Sequence, residues 1–136
     1  MGVRVGESTT TRASDGSFVP AVLLIDDNLT QLRMREAVLR DAGFSVSSAG
    51  TAEQALTFLR STAPGPDVIV TDHVLPGASG STFVRVLRNV CSQIPVIVIS
   101  GMAEAESEYE GLLVTFLRKP CSPDCLIREV WASLRN

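Results

Sequence analysis

The stretch Asp67-Val68-Ile69-Val70-Thr71-Asp72-His73-Val74-Leu75-Pro76-Gly77 decides how the chain is read. Its β-branched run is short, as a strand buried on both faces would be. Pro76 and Gly77 break the chain just beyond. Asp72 is therefore delivered to the exit of a buried strand, the edge at which open α/β sheets carry their chemistry. Taken alone, the same pattern also describes an aspartate that merely starts a turn.

Working outward, strand and helix patterns alternate. Ala21-Val22-Leu23-Leu24-Ile25 is a short continuous apolar run that stops at Asp26-Asp27. Leu29 to Ala42 places Leu32, Val38, Leu39 and Ala42 on one helical stripe with Arg and Glu elsewhere, and Gly43 ends it. Phe44 to Ala49 reads as a weaker strand, its alternate serines suiting an edge. Thr51-Ala52-Glu53-Gln54 is a capping box opening a helix to about Arg60. After Asp72, a helix from about Ser79 to Asn89 carries Phe83, Val86, Leu87 and Val90 on one stripe. Val96 to Ile99 is the fourth strand, ending at Ser100-Gly101. Met102 to Gly111 admits only a short acidic helix. Val114 to Arg118 is the fifth strand, ending at Lys119-Pro120, and Ser122 caps a last helix with Pro123 in its first turn. Leu126, Ile127, Val130, Trp131 and Leu134 form that helix's inner stripe. Five strands alternating with helices imply a doubly wound parallel α/β sheet with helices on both faces and a short or irregular fourth helix; the flavodoxin-like order 2-1-3-4-5 is the arrangement expected from folds of this kind and is not fixed by the alternation itself.

The chain has 136 residues, enough for one domain with one sizeable core. Residues 1–17 are rich in Ser, Thr and Gly and have no apolar period, which predicts a disordered tail before a domain over 18–136. The 45% hydrophobic content falls in short runs, which argues against a membrane span. A net charge of −3 offers no basic face, so direct nucleic-acid binding is not expected. The three cysteines form no CxxC pair, and no secretory leader pattern opens the chain, so neither a disulfide framework nor zinc is indicated and a cytoplasmic setting is expected.

Polar residues with chemical potential fall at strand exits: Asp26 and Asp27, Asp72, Ser100 and Lys119. If the first and third strands are neighbours, the acids converge where the winding reverses. Two carboxylates about 4 Å apart repel by roughly 4 kcal/mol at an effective dielectric of 20, so three cannot all stay ionised unaided. Lys119 offsets one charge, and an all-oxygen site with room for water suits Mg²⁺ for the remaining two. The plainer alternative is a solvated turn at Asp26-Asp27 and a surface charge at Lys119.

On Asp26-Asp27, Asp72 with Pro76 and Gly80 after it, Ser100-Gly101 and Phe116-Leu117-Arg118-Lys119-Pro120, the chain resembles a response-regulator receiver domain of two-component signalling. The resemblance runs from about Phe18 to Asn136. It implies phosphoryl transfer from a partner phosphohistidine, on a histidine kinase or phosphotransfer protein, to Asp72. Asp27, Asp72 and the Val74 carbonyl would bind Mg²⁺ directly, and Asp26 largely through water. Lys119 and Ser100 would neutralise the phosphoryl oxygens, and Ser100 with Phe116 would form the switch. Such a domain is not an enzyme on other substrates; it signals to a downstream protein. A cis Lys119-Pro120 bond is also implied.

Four further expectations follow. The short fourth helix puts signalling through that face in doubt and resembles receivers attached to hybrid histidine kinases. The lone histidine, His73, lies beside the acceptor, in a slot variable in the family, and is not expected to be catalytic. Val74 and Met102 are apolar where some receivers orient attacking water, which predicts slow self-dephosphorylation, a longer phosphoryl half-life than in a Val74→Asn variant. The alternative function is a receiver-fold scaffold independent of phosphorylation. An aspartate-nucleophile phosphatase is disfavoured because its second acid, two positions on, is Val74 here, and a flavin site because Asp26-Asp27 would repel the cofactor phosphate.

Overall fold

The computed structural model describes residues 2–5, 18–91 and 93–135. In chain order the strands are β1 (Arg4–Val5), β2 (Ala21–Ile25), β3 (Ser45–Ala49), β4 (Val68–Asp72), β5 (Val74–Leu75), β6 (Ala78–Ser79), β7 (Val96–Ser100) and β8 (Val114–Arg118). The helices are α1 (Leu29–Asp41), α2 (Ala52–Ser61), α3 (Gly80–Val90) and α4 (Pro123–Leu134), with a 3₁₀ helix over Ala103–Tyr109. The main sheet runs β1-β3-β2-β4-β7-β8, and every pairing from β3 to β8 is parallel. Counted among the parallel strands alone, that is the expected order 2-1-3-4-5.

Successive strand residues face opposite sides of a sheet, and here both sides are buried. Leu23, Ile25, Ile69, Val96 and Val98 pack with α2 and α3, whereas Val22, Leu24, Val68, Val70, Ile97 and Ile99 pack with α1 and α4. Each helix starts at a side-chain cap, of which Thr51 and Ser122 were expected from the sequence and Asn28 and Ser79 were not. Asn28, Thr51, Ser79 and Ser122 accept from the backbone N–H three residues on, at 3.0, 3.1, 3.2 and 3.1 Å.

Several expectations are corrected. Arg4–Val5 pairs antiparallel with Ser47 and Ser48, so part of the predicted tail extends the sheet beyond β3; residues 6–17 lie outside the described residues. On α1 the inward stripe is Leu32, Arg35, Glu36 and Leu39, so two charged side chains enter where Val38 and Ala42 were expected. Glu36 is accommodated by ion pairs with Arg33 and Arg40 and a hydrogen bond from Ser48. On α3, Val84 takes the inner place expected of Val90. On α4, Ser133 is buried, while Trp131 is 39% exposed and lies against Phe44 with ring centroids 4.7 Å apart. The short fourth helix is a 3₁₀ helix. A hairpin of β5 and β6 was not foreseen; its Pro76-Gly77 turn, with Gly77 at φ +74°, has the residue order of a type II turn.

Candidate functional site

Sheet register brings the expected residues to one edge. Ile25 pairs with Thr71, Asp72 with Ile99, and Ser100 with Arg118, so Asp26, Asp72, Ser100 and Lys119 all sit at the carboxyl ends of adjacent strands. Parity then sorts them by face. Asp26 follows the alternation of Val22 and Leu24, Asp72 that of Val68 and Val70, and Lys119 that of Leu117. These are the residues that face α1 and α4.

Asp26 and Asp72 are both buried, at 1% and 7% exposure. The Lys119 ammonium lies 3.4 Å from Asp72 Oδ1. Arg35, rising from α1, places Nη1 at 2.9 Å from Asp26 Oδ2 and 3.5 Å from Asp72 Oδ1. Its Nη2 donates to Gln31 Oε1 at 2.9 Å. Asp26 Oδ1 accepts from the Asn28 N–H at 2.9 Å. Even with these partners the Asp26 carboxyl is pushed up to about 6. Burial is the main cause and the neighbouring Asp72 charge adds to it, while the Asn28 N–H and Arg35 pull the other way.

The other predicted residues lie outside this cluster. Asp27 is exposed, at the mouth beside Asp26. Val74 is 62% exposed in the β5–β6 hairpin. Ser100 is buried, but by alternation it faces the α2 and α3 side, and its hydroxyl accepts from the Met102 N–H at 2.9 Å. Phe116 is half-buried on that side, its ring 5.8 Å from that of Tyr109. The Lys119–Pro120 bond is cis.

Among the described residues no three His, Cys, Asp or Glu side chains gather as a ready-made metal cage. Mg²⁺ does not need one, because it retains several waters and takes one or two carboxylates. Two buried carboxylates and the exposed Asp27 beside them offer all-oxygen donors and, set against Lys119 and Arg35, one residual negative charge, which fits such an ion.

Sequence reasoning missed Arg35 and the contacts of His73. Arg35 had a legible signal: it lies three residues after Leu32 and four before Leu39, on the buried stripe. His73 is buried, and its Nδ1 is 2.6 Å from the Tyr109 hydroxyl. Glu108 lies beyond, its Oε2 3.7 Å from His73 Nε2 and its Oε1 accepting from Ser81 at 2.9 Å. Burial pushes the Tyr109 phenol upward, with the Glu108 charge adding to it, so it stays a hydrogen-bonding hydroxyl. Nothing in the local pattern around 103–109 announced this pairing, which depends on a separation of 36 residues.

Comparison with known proteins matches this arrangement. Residues 22–130 match the family model described as "Response regulator receiver domain". The DNA-binding response regulator MtrA of Mycobacterium tuberculosis is 32% identical over 118 residues, covering 85% of this chain and 50% of that protein. The phosphate regulon transcriptional regulatory protein PhoB of Klebsiella pneumoniae is 30% identical over 120 residues, covering 85% and 52%. The chain thus spans about half the length of the curated relatives it matches. Among solved structures, a response regulator receiver protein from Sinorhizobium medicae is 31% identical with a TM-score of 0.76, covering 86% of this chain and 95% of that one. The receiver domain of the hybrid histidine kinase CckA is 30% identical with a TM-score of 0.72, covering 84% and 98%. With its sheet order, its acidic edge and this match over most of its length, the chain belongs to the response regulator receiver domain family of two-component signalling.

Proposed function

We propose that this receiver domain accepts a phosphoryl group on Asp72 from a phosphohistidine of a histidine kinase or phosphotransfer protein, and passes the signal on by changed protein contacts. The observation that carries this reading is the buried Asp72 carboxylate at the sheet edge with the Lys119 ammonium 3.4 Å from its Oδ1. In the transfer, an Asp72 oxygen forms the new P–O bond. The P–N bond to the donor imidazole breaks, and its electron pair returns to that nitrogen. Such transfers depend mostly on positioning and on neutralising the phosphoryl oxygens. In this reading Lys119 does so, and Ser100 donates its hydroxyl once its loop moves inward, with Phe116 shifting in response.

Asp26, Asp27, Asp72 and the Val74 carbonyl would hold Mg²⁺. Bound there, the ion supplies charge neutralisation for the incoming phosphoryl oxygens. The chain acts on its own aspartate only and is not an enzyme toward other substrates. No helix among the described residues is long and apolar enough to cross a membrane. The partners are a phosphodonor protein and a downstream protein, in the cytoplasm. DNA binding, named for MtrA, belongs to a protein that this chain covers to 50%.

One observation favours a phosphorylation-independent scaffold instead: Arg35 already supplies a cation to Asp26 and Asp72. Intact-mass spectrometry after treatment with acetyl phosphate and Mg²⁺ separates the two. Wild type gains one phosphoryl group and Asp72→Asn gains none. A wild type left unmodified in the presence of Mg²⁺ overturns phosphoacceptance in favour of the scaffold.

A further inference from the structure

Arg35 projects from α1 into the acidic edge. Its Nη1 contacts Asp26 Oδ2 at 2.9 Å and Asp72 Oδ1 at 3.5 Å, so one nitrogen lies between the two buried carboxylates. The side chain is only 10% exposed, and Gln31 Oε1 holds its Nη2 at 2.9 Å. The guanidinium is thus clamped from its own helix and from the site. A cation shared by Asp26 and Asp72 needs the space and the lone pairs that Nη1 now uses. We propose that Arg35 is a resident counter-ion that competes with the divalent cation for the acidic edge, so that loading the site requires the guanidinium to withdraw from Asp72. Arg35 is a positioning residue in this role.

The physical balance supports competition. Asp26, Asp27 and Asp72 carry three negative charges if ionised, and Lys119 and Arg35 return two, leaving one where the sequence alone suggested two. A dication at about 4 Å from an unmoved guanidinium meets a repulsion of several kcal/mol at an effective dielectric of 20, so the two do not coexist in contact. The consequence is a site whose divalent affinity is weakened and whose occupancy is tied to the conformation of α1 residues Gln31 and Arg35.

This inference rests on the metal assignment of the preceding subsection, and the test keeps the two apart. Mn²⁺ binding to the unphosphorylated protein is measured by electron paramagnetic resonance, with Mg²⁺ as competitor. Arg35→Met is expected to tighten Mn²⁺ binding by on the order of tenfold or more. Arg35→Lys, which keeps a cation on the same helix face, stays near wild type. Gln31→Leu leaves every charge in place and frees only Nη2, so it covers a failure of Arg35→Met to fold; it tightens binding by roughly threefold. Unchanged or weaker binding in folded Arg35→Met, or equal tightening in Arg35→Lys, overturns the inference. If Arg35→Met does not fold, an unchanged Gln31→Leu does so. Wild type and all variants failing to bind Mn²⁺ at millimolar concentration would instead sink the metal assignment itself.

Discussion

At the residue scale, Gly80 is the tightest point near the acceptor. A Cβ built there meets the Tyr109 hydroxyl and comes within 2.9 Å of the Asp72 carbonyl oxygen and 3.1 Å of the His73 Cα. Two of these neighbours are backbone atoms, of Asp72 at the end of the acceptor strand and of His73 just after it, and cannot swing aside. The Gly80 N–H also donates to the His73 carbonyl at 2.6 Å, which fixes the distance. Gly80→Ala should therefore cost on the order of 1–3 kcal/mol, as overpacking does, although alanine is the better helix former. Urea unfolding reads this; a variant as stable as wild type means that the strand end yields. Gly80 was legible as part of the family motif, but its reason was not, since the crowding needs the folded-back Asp72 and His73 backbone together with Tyr109, 29 positions along the chain.

At the element scale, the 3₁₀ helix is held from outside more than by its own pattern. Tyr109 bonds His73, Glu108 accepts from Ser81, and the Glu108 carbonyl accepts from Arg85 at 2.9 Å. Ala105 and Tyr109 are its buried residues, and the alternating glutamates are mostly solvated. Tyr109→Phe keeps the ring against Phe116 but strands His73 Nδ1, and a buried group left unsatisfied costs about 1–3 kcal/mol. We expect faster amide exchange across 103–110 with little change in β2 or β4. Protection lost evenly across the whole sheet would show that the bond supports the fold at large and not this element. Helix starts, by contrast, were readable: Thr51, Ser79 and Ser122 cap through their own side chains within three residues, an interaction that is local in sequence.

At the scale of the whole molecule, the fold forces charge into one buried edge, and pH tests that cost. The folded protein binds the Asp26 proton up to about pH 6, whereas the ordinary carboxylate value is 3.8. Between these values the native state holds more proton than the unfolded chain, so the stability linked to Asp26 falls as pH rises from about 4 to 6. In EDTA, Asp26→Asn should therefore exceed wild type at pH 7.5 by on the order of 2–3 kcal/mol, with the gap closing below about pH 4, where both states are protonated. Chemical denaturation across that range is the measurement. A gap independent of pH, or of opposite sign, would mean that the Arg35 bond outweighs desolvation of the carboxylate.

The sequence by itself determined the parallel strands and the placing of Asp26, Asp72 and Lys119 at strand exits, because short apolar runs ending in polar residues are local patterns; the strand order, and with it the gathering of these residues, came from the family resemblance. Only the tertiary structure decided that Arg35 turns inward between two carboxylates, that His73 finds Tyr109, and that Arg4–Val5 joins the sheet. Each of these joins residues far apart in the chain. The helical period places Arg35 on the buried stripe, but which buried acids its guanidinium meets depends on what the sheet presents opposite it, and no local pattern carries that.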